Sequence, residues 1–341
     1  MIRETTSKAF ILGMGISGLS LAKYLMRKKI QVLCWDDNPE RRKVSKSFKI
    51  NITNITKETL KDCNFLVLSP GINHHQKNPH IAVKFAKDLN VKVVTDLEFL
   101  KILNFKNSLM GITGTNGKST TTHFIQQILS FNNFKESKCC GNIGTPFTDL
   151  KITKNTFLII EASSYQLAKI DKLCFDFAFL LNISKDHIEW HGTFKKYIDS
   201  KLNIFKNQTK KSIAVICIDD IHCRRIAKNF QNNFKAKLIL ISCKYTENVD
   251  IFLKKTNKII KIFNNLSKES FEIAADNLNF IKAQHNLQNL LAAYVSSFLL
   301  NQKKDDFLNS LKGLKTLQHR IEFSGAYKNI NFYNDSKSTN V

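Results

Sequence analysis

Lys118 is the residue around which the chemistry of this sequence gathers. It sits in MGITGTNGKSTTTHF, residues 110–124, behind Gly114, Thr115, Asn116 and Gly117 and ahead of Ser119, Thr120 and Thr121. Glycines let backbone N–H groups turn inward around oxygens, a lysine reaches outer phosphates, and the next hydroxyl suits Mg²⁺. The strict P-loop pattern wants glycine where Ile112 stands. An apolar strand before the loop and a helix after it nonetheless predict a phosphate cradle at a helix N-terminus. The plainer reading is a glycine-rich turn with a surface lysine.

Further polar groups fall at the ends of apolar runs. Glu161 closes TFLIIE, where it can ligate a metal or serve as charge at a helix start. Asp186 and His187 follow the strand FDFAFLLNIS; an aspartate there can also be a cap. His187 and His191 are four apart, but no glutamate motif accompanies them, so zinc is not expected. Lys201 lies fourteen residues past His187. A protonated lysine cannot bind a metal, whereas a desolvated, neutral one can take up CO₂ as a carbamate, an oxygen ligand. Asn286 and Asn289 share a helix face. With Arg320 and Asp335 they could complete a nucleotide pocket.

A second glycine turn, GMGISG, carries Gly13, Gly15 and Gly18 in GxGxxG spacing, with Asp36 ending the following strand. Its default reading is a dinucleotide site. Two phosphate loops in one chain point instead to two phosphorylated ligands.

These loops need strands and helices to hold them. Apolar, β-branched runs alternate with amphipathic helices, the pattern of an α/β protein with parallel sheets. The spacing predicts a Rossmann-like parallel-sheet domain over 1–104, a central P-loop-type α/β ATPase domain over 105–325, and the start of a third unit over 326–341. NKIIKIFNNLSKESFEIAA predicts a small antiparallel addition. The chain has 341 residues, 43% of them hydrophobic, and no apolar run long enough to span a bilayer. Its eight cysteines follow no metal spacing, and MIRETTSKAF lacks a secretory leader's apolar stretch, which predicts reduced thiols in the cytoplasm. The net charge of +24 is spread along the chain rather than striped, so it predicts a solvated basic surface that attracts anionic substrates, not a nucleic-acid partner.

In order, GMGISGLS, SPGI, GITGTNGKSTTT, GNIGTP, EASSYQL, NISKDHIEWHG, YIDSK, HNLQN, HRIE and NDSKSTN resemble the Mur ligase family, the ATP-dependent amino-acid ligases of peptidoglycan synthesis. GTNGK is that family's own loop, and EASSYQL is similar to its D-glutamate-adding branch. The resemblance implies that Ser17 and Ser69-Pro70-Gly71 contact the diphosphate of a UDP-sugar, with Asp36 and Asp37 near uracil or ribose. It implies that Asn142, Gln166 and His187 line the path of UDP-N-acetylmuramoyl-L-alanine. ATP would be held by Thr115 to Thr121, Asn289, Arg320 and Asp335. Ser119, Glu161, His187 and a carbamylated Lys201 would serve two Mg²⁺ ions. Lys118, His187 and Lys201 would be catalytic, and Lys337 and Thr339 would lie near D-glutamate. The implied enzyme is a cytoplasmic monomer that forms an acyl phosphate and then an amide.

Family members carry a third Rossmann-like domain after NDSKSTN, of which this sequence has only the first strand. The expectation is that the chain binds its UDP-substrate, holds ATP more weakly and turns over poorly, and that the strand NINFY frays. The competing readings are a non-catalytic UDP-sugar-peptide module, a nucleic-acid-dependent NTPase and a dehydrogenase.

Overall fold

The computed structural model describes residues 8–73, 79–134, 136–142, 144–275, 278, 285–318, 322–328, 330–334 and 336. Apolar runs bounded by glycine or polar turns become the strands β1 (Lys8–Leu12), β2 (Gln31–Trp35), β3 (Phe65–Leu68) and β4 (Lys92–Val94). They form a parallel sheet in the order β2-β1-β3-β4. The chain reverses direction across β1, so the glycine turn after β1 lies at the crevice where such sheets take ligands.

The second sheet has nine strands. They are β5 (Leu109–Thr113), β6 (Glu136–Gly141), β7 (Thr156–Glu161), β8 (Phe177–Leu180), β9 (Ile213–Cys217), β10 (Lys237–Ser242), β11 (Ile251–Lys255), β12 (Ile259–Asn264) and β13 (Glu269–Ala274). The order is β13-β12-β11-β10-β9-β8-β5-β7-β6, parallel as far as β11 and antiparallel over β12 and β13. The antiparallel addition therefore stands where the sequence places it. β6 and β11 are strands the apolar runs did not reveal. β6, ESKCCG, is an edge strand, where one-sided pairing tolerates polar residues. β5 is flanked by β7 and β8, which puts its following loop at the reversal point of this sheet.

One core cluster joins the two sheets, running from Ile11 and Leu25 through Phe99 and Phe147 to Phe175 and Phe205. Polar ties cross the same seam. The buried Glu98 carboxylate accepts the backbone N–H groups of Asp171, Lys172 and Leu173, and the Asn73 carboxamide donates to the Trp190 carbonyl. The strand expected at NINFY, β15 (Ile330–Asn334), is not alone. It pairs antiparallel with β14 (Glu322–Tyr327), which runs across the expected boundary at residue 325. Tyr327, Ile330, Phe332 and Tyr333 on this ribbon are exposed.

Candidate functional site

The loop after β5 is built by its neighbours as much as by its own glycines. Gly117 takes φ +81° and caps the helix Lys118–Phe131 without a side-chain hydrogen bond. A Cβ there would also fall 2.3 Å from Asn289 Oδ1, so both backbone and space demand glycine. Asn289 is buried; its Oδ1 accepts from Thr121 Oγ1 at 3.0 Å and its Nδ2 donates to Asn286 Oδ1 at 3.0 Å. Asn286 and Asn289 thus pair with each other rather than standing apart on a helix surface.

Thr115 Oγ1 lies 2.9 Å from the buried Tyr197 hydroxyl and accepts the Ser184 N–H at 3.0 Å. Asn116 has its N–H on Asn182 Oδ1 at 2.8 Å, so this amide is turned into the protein rather than toward a phosphate. Ser119 and Thr120 are buried at the helix start. Lys118 Nζ donates to the carbonyls of Gly114 and Thr115 at 3.0 and 2.8 Å.

Lys201 comes from the helix Phe194–Leu202 and is 1% exposed. Its Nζ donates to the Gly114 carbonyl at 2.6 Å and lies over the Tyr197 ring. Burial, and next the Lys118 ammonium, hold Lys201 well below the ordinary lysine range; Asp186 and Glu161 pull the other way. Glu161, at the C-terminal end of β7, is buried and accepts from Asn142 Nδ2 at 3.1 Å. His187 takes φ 51° at the start of the helix Ile188–His191, with Asp186 beside its Nε2 at 3.3 Å and the Tyr165 ring 4.9 Å away. Burial lowers its pKa; Asp186 opposes this, and Lys201 and Lys118 add to it. The charges of Lys118, Asp186 and Glu161 all bear on Lys201, and those of Asp186, Lys201 and Lys118 bear on His187.

His191 is different. Fully buried, it sits between the hydroxyls of Ser164 (3.0 Å) and Ser200 (3.3 Å) and stacks on Tyr165. It packs against these groups. Among the described residues no three His, Cys, Asp or Glu side chains converge on an ion site. The oxygen donors present, the Ser119 hydroxyl at the helix start and the Glu161 carboxylate at the end of β7, are of the type that suits Mg²⁺, which keeps waters and phosphate oxygens around one or two protein ligands.

Gln166 is fully buried. Its Oε1 accepts the Ser163 N–H while Ser163 Oγ accepts the Gln166 N–H, closing a capping box, and Gln166 Nε2 donates to Asp96 Oδ1 at 3.3 Å. The S-x-x-Q spacing of SSYQ carried that signal. Lys169, next to this turn, is also buried; its Nζ has no hydrogen-bond partner and lies 5.1 Å from the Trp190 ring centre. Burial brings its pKa down to about 7, against the pull of Asp96.

In the first glycine turn, a Cβ on Gly18 would lie 2.0 Å from the Gly13 carbonyl oxygen, which permits no side chain. Ser69 Oγ donates to that carbonyl at 2.8 Å. The helix Ile16–Arg27 starts with no side-chain cap, and half-buried Ser17 lies in its first turn. Pro70 is half-buried and Gly71 exposed on the facing turn. Asp36 is buried and accepts from the N–H groups of Met14 (2.6 Å) and Asn38 (2.8 Å). It fastens the turn; the exposed Asp37, 3.4 Å from His80, is the carboxylate open to solvent. Arg320, Asp335, Lys337 and Thr339 lie outside the described residues.

Comparison with known proteins points to one family. The family model described as Mur ligase middle domain matches residues 112–297. The one described as Mur ligase MurD-like, N-terminal domain matches residues 7–95. The chain is 32% identical to the UDP-N-acetylmuramoylalanine–D-glutamate ligase of Rickettsia felis, covering all of this chain and 73% of that one. The enzyme of the same name from Elusimicrobium minutum is 32% identical over 98% of this chain and 72% of its own. Among solved structures, the MurF ligase of Thermotoga maritima in complex with ADP shares the fold with a TM-score of 0.57 at 19% identity, covering 98% of this chain and 72% of that one. The MPL ligase of Neisseria meningitides gives a TM-score of 0.62 at 13% identity over 92% of this chain and all of that one.

Proposed function

The chain belongs to the Mur ligase family of ATP-dependent, amide-bond-forming enzymes of peptidoglycan synthesis, and on that premise we propose that it joins D-glutamate to UDP-N-acetylmuramoyl-L-alanine. The observation that carries the reading is the convergence of Lys118 and Lys201 on the Gly114 carbonyl, in the loop that follows the central strand β5. A nucleotide entering the loop offers Lys118 phosphate oxygens in place of the Gly114 and Thr115 carbonyls. The ammonium then neutralises charge as the alanyl carboxylate attacks the γ-phosphorus and ADP departs. The amine of D-glutamate attacks the acyl phosphate, and phosphate leaves.

Ser119, Glu161 and His187 are the residues that would hold Mg²⁺, which supplies positive charge against the phosphate oxygens. A neutral Lys201 has the lone pair that CO₂ requires, and its carbamate would add an oxygen ligand. Asn142, Gln166 and His187 are assigned to the muramoyl-alanine path. Thr115, Thr120, Thr121, Asn289, Arg320 and Asp335 are assigned to ATP, and Lys337 and Thr339 to D-glutamate. Residues 1–104 would bind the UDP moiety through Ser17, Asp36, Asp37, Ser69, Pro70 and Gly71, and residues 105–325 would bind ATP. No helix among the described residues is long and apolar enough to cross a membrane. A monomer in the cytoplasm, where these substrates occur, completes the reading.

The test is incubation with Mg·ATP, UDP-N-acetylmuramoyl-L-alanine and labelled D-glutamate. Label in a UDP-linked dipeptide, with equimolar ADP, is expected. Equal incorporation of L-glutamate, or ADP release indifferent to the UDP-substrate, would overturn the assignment.

A further inference from the structure

We propose that Asn182 is a positioning residue of the nucleotide loop, gripping the Asn116 peptide so that the amides beyond it turn toward the phosphates. The inference rests on the nucleotide reading of that loop and adds to it a residue outside the loop itself.

Asn182 lies just past β8 and binds two successive loop residues. Its backbone carbonyl accepts the Thr115 N–H at 2.9 Å. Its side-chain Oδ1 accepts the Asn116 N–H at 2.8 Å, and its Nδ2 donates to the Asn116 carbonyl at 3.1 Å. A carboxamide that meets both the N–H and the C=O of one residue acts as a neighbouring strand would, and fixes the orientation of the two peptide units that flank it. The orientation of the carboxamide is itself determined, because the Asn116 N–H can only donate.

The second proton of Nδ2 goes to Gln288 Oε1 at 2.7 Å. Gln288 in turn points its Nε2 at Cys217 Sγ, 2.9 Å away, and toward Asp219 Oδ2 at 3.5 Å. Asp219 is anchored by Ser242 Oγ and the Cys243 N–H at 2.6 and 3.0 Å. The grip on Asn116 is therefore braced by the turns after β9 and β10. Gln288 and Asn289 are consecutive on the helix His285–Leu299, and Asn289 abuts Gly117 and bonds Thr121. One helix start thus holds both ends of the loop. With its Asn116 amide engaged, the loop presents its Gly117–Thr120 side to a ligand.

The experiment is calorimetric titration of the whole protein and its variants with Mg·ATP and, separately, with UDP-N-acetylmuramoyl-L-alanine. Asn182→Ala removes two loop hydrogen bonds and should weaken Mg·ATP by about tenfold or more, with the UDP-substrate affinity unchanged within about twofold. Asn182→Asp keeps the acceptor but loses both donors and adds negative charge beside the phosphates, so it should bind Mg·ATP more weakly than Asn182→Ala. Gln288→Leu leaves Asn182 in place without its brace and should give a smaller loss, about threefold. Should Asn182→Ala fail to fold, the order wild type, Gln288→Leu, Asn182→Asp decides. Wild-type ATP affinity in Asn182→Ala or Asn182→Asp, or an equal loss for both ligands, would overturn the clamp. Absence of Mg·ATP binding by the wild-type protein would sink the nucleotide reading and the clamp with it.

Discussion

Lys118 and Lys201 donate to the same oxygen, the Gly114 carbonyl, at 3.0 and 2.6 Å. Two ammonium groups on one acceptor repel, and the buried one gives up its proton more readily. Lys201 is that one, held well below the ordinary lysine range first by its burial and next by Lys118.

Replacing Lys201 by Met removes the inner amine while keeping its length and most of its packing. Apparent Mg²⁺ affinity in the ligation assay should fall by about ten- to a hundredfold, with the affinity for UDP-N-acetylmuramoyl-L-alanine little changed. Titration of Mg²⁺ at saturating substrates checks this; an unchanged Mg²⁺ requirement would remove Lys201 from the site.

Gly18→Ala places a methyl 2.0 Å from the Gly13 carbonyl oxygen. The turn must open, which should cost the UDP-substrate at least about tenfold in affinity while leaving Mg·ATP binding intact. The two titrations, run on one preparation, separate the two phosphate sites.

Glu161→Gln keeps the shape of the side chain that accepts from Asn142 Nδ2 but removes its charge. Turnover should fall by about two to three orders of magnitude, as when charge aimed at a phosphoryl transition state is lost. Thermal unfolding should move little, since the buried carbonyl still accepts the Asn142 bond. Steady-state ADP release and a melting curve check the two halves of that expectation.

Lys169 gives a stability prediction with a definite sign. An unfolded lysine titrates near 10.4, whereas folded Lys169 does so at about 7. Between those values the unfolded chain binds more protons, so this group makes stability rise with pH across that window and contributes no slope below it. Lys169→Met should raise stability at pH 7 by on the order of 1–3 kcal/mol, and the gain should fade toward pH 10. Urea unfolding at both pH values measures it.

The parts of this molecule that were legible in the sequence are those whose chemistry is local. Glycine turns, the lysine after them and carboxylates at strand ends declare themselves by spacing, and Lys118 and Lys201 meet at the Gly114 carbonyl. β6 was hidden because an edge strand can be polar. Asn182, Gln288 and Glu98 were hidden because their partners lie 66, 106 or more than 70 residues away along the chain. Asp36 and Gln166 are read from the sequence only as ligand contacts; that Asp36 accepts the Met14 N–H and Gln166 the Ser163 N–H is seen in the fold. A carboxylate ending a strand reads the same whether it faces a ligand or the turn beside it.

The most direct test is the affinity of Mg·ATP for the wild-type protein and for Lys118→Ala, measured by titration calorimetry beside UDP-N-acetylmuramoyl-L-alanine. The account predicts that Lys118→Ala binds the nucleotide at least about tenfold more weakly and the UDP-substrate equally well. Equal nucleotide affinity in the two proteins would contradict it.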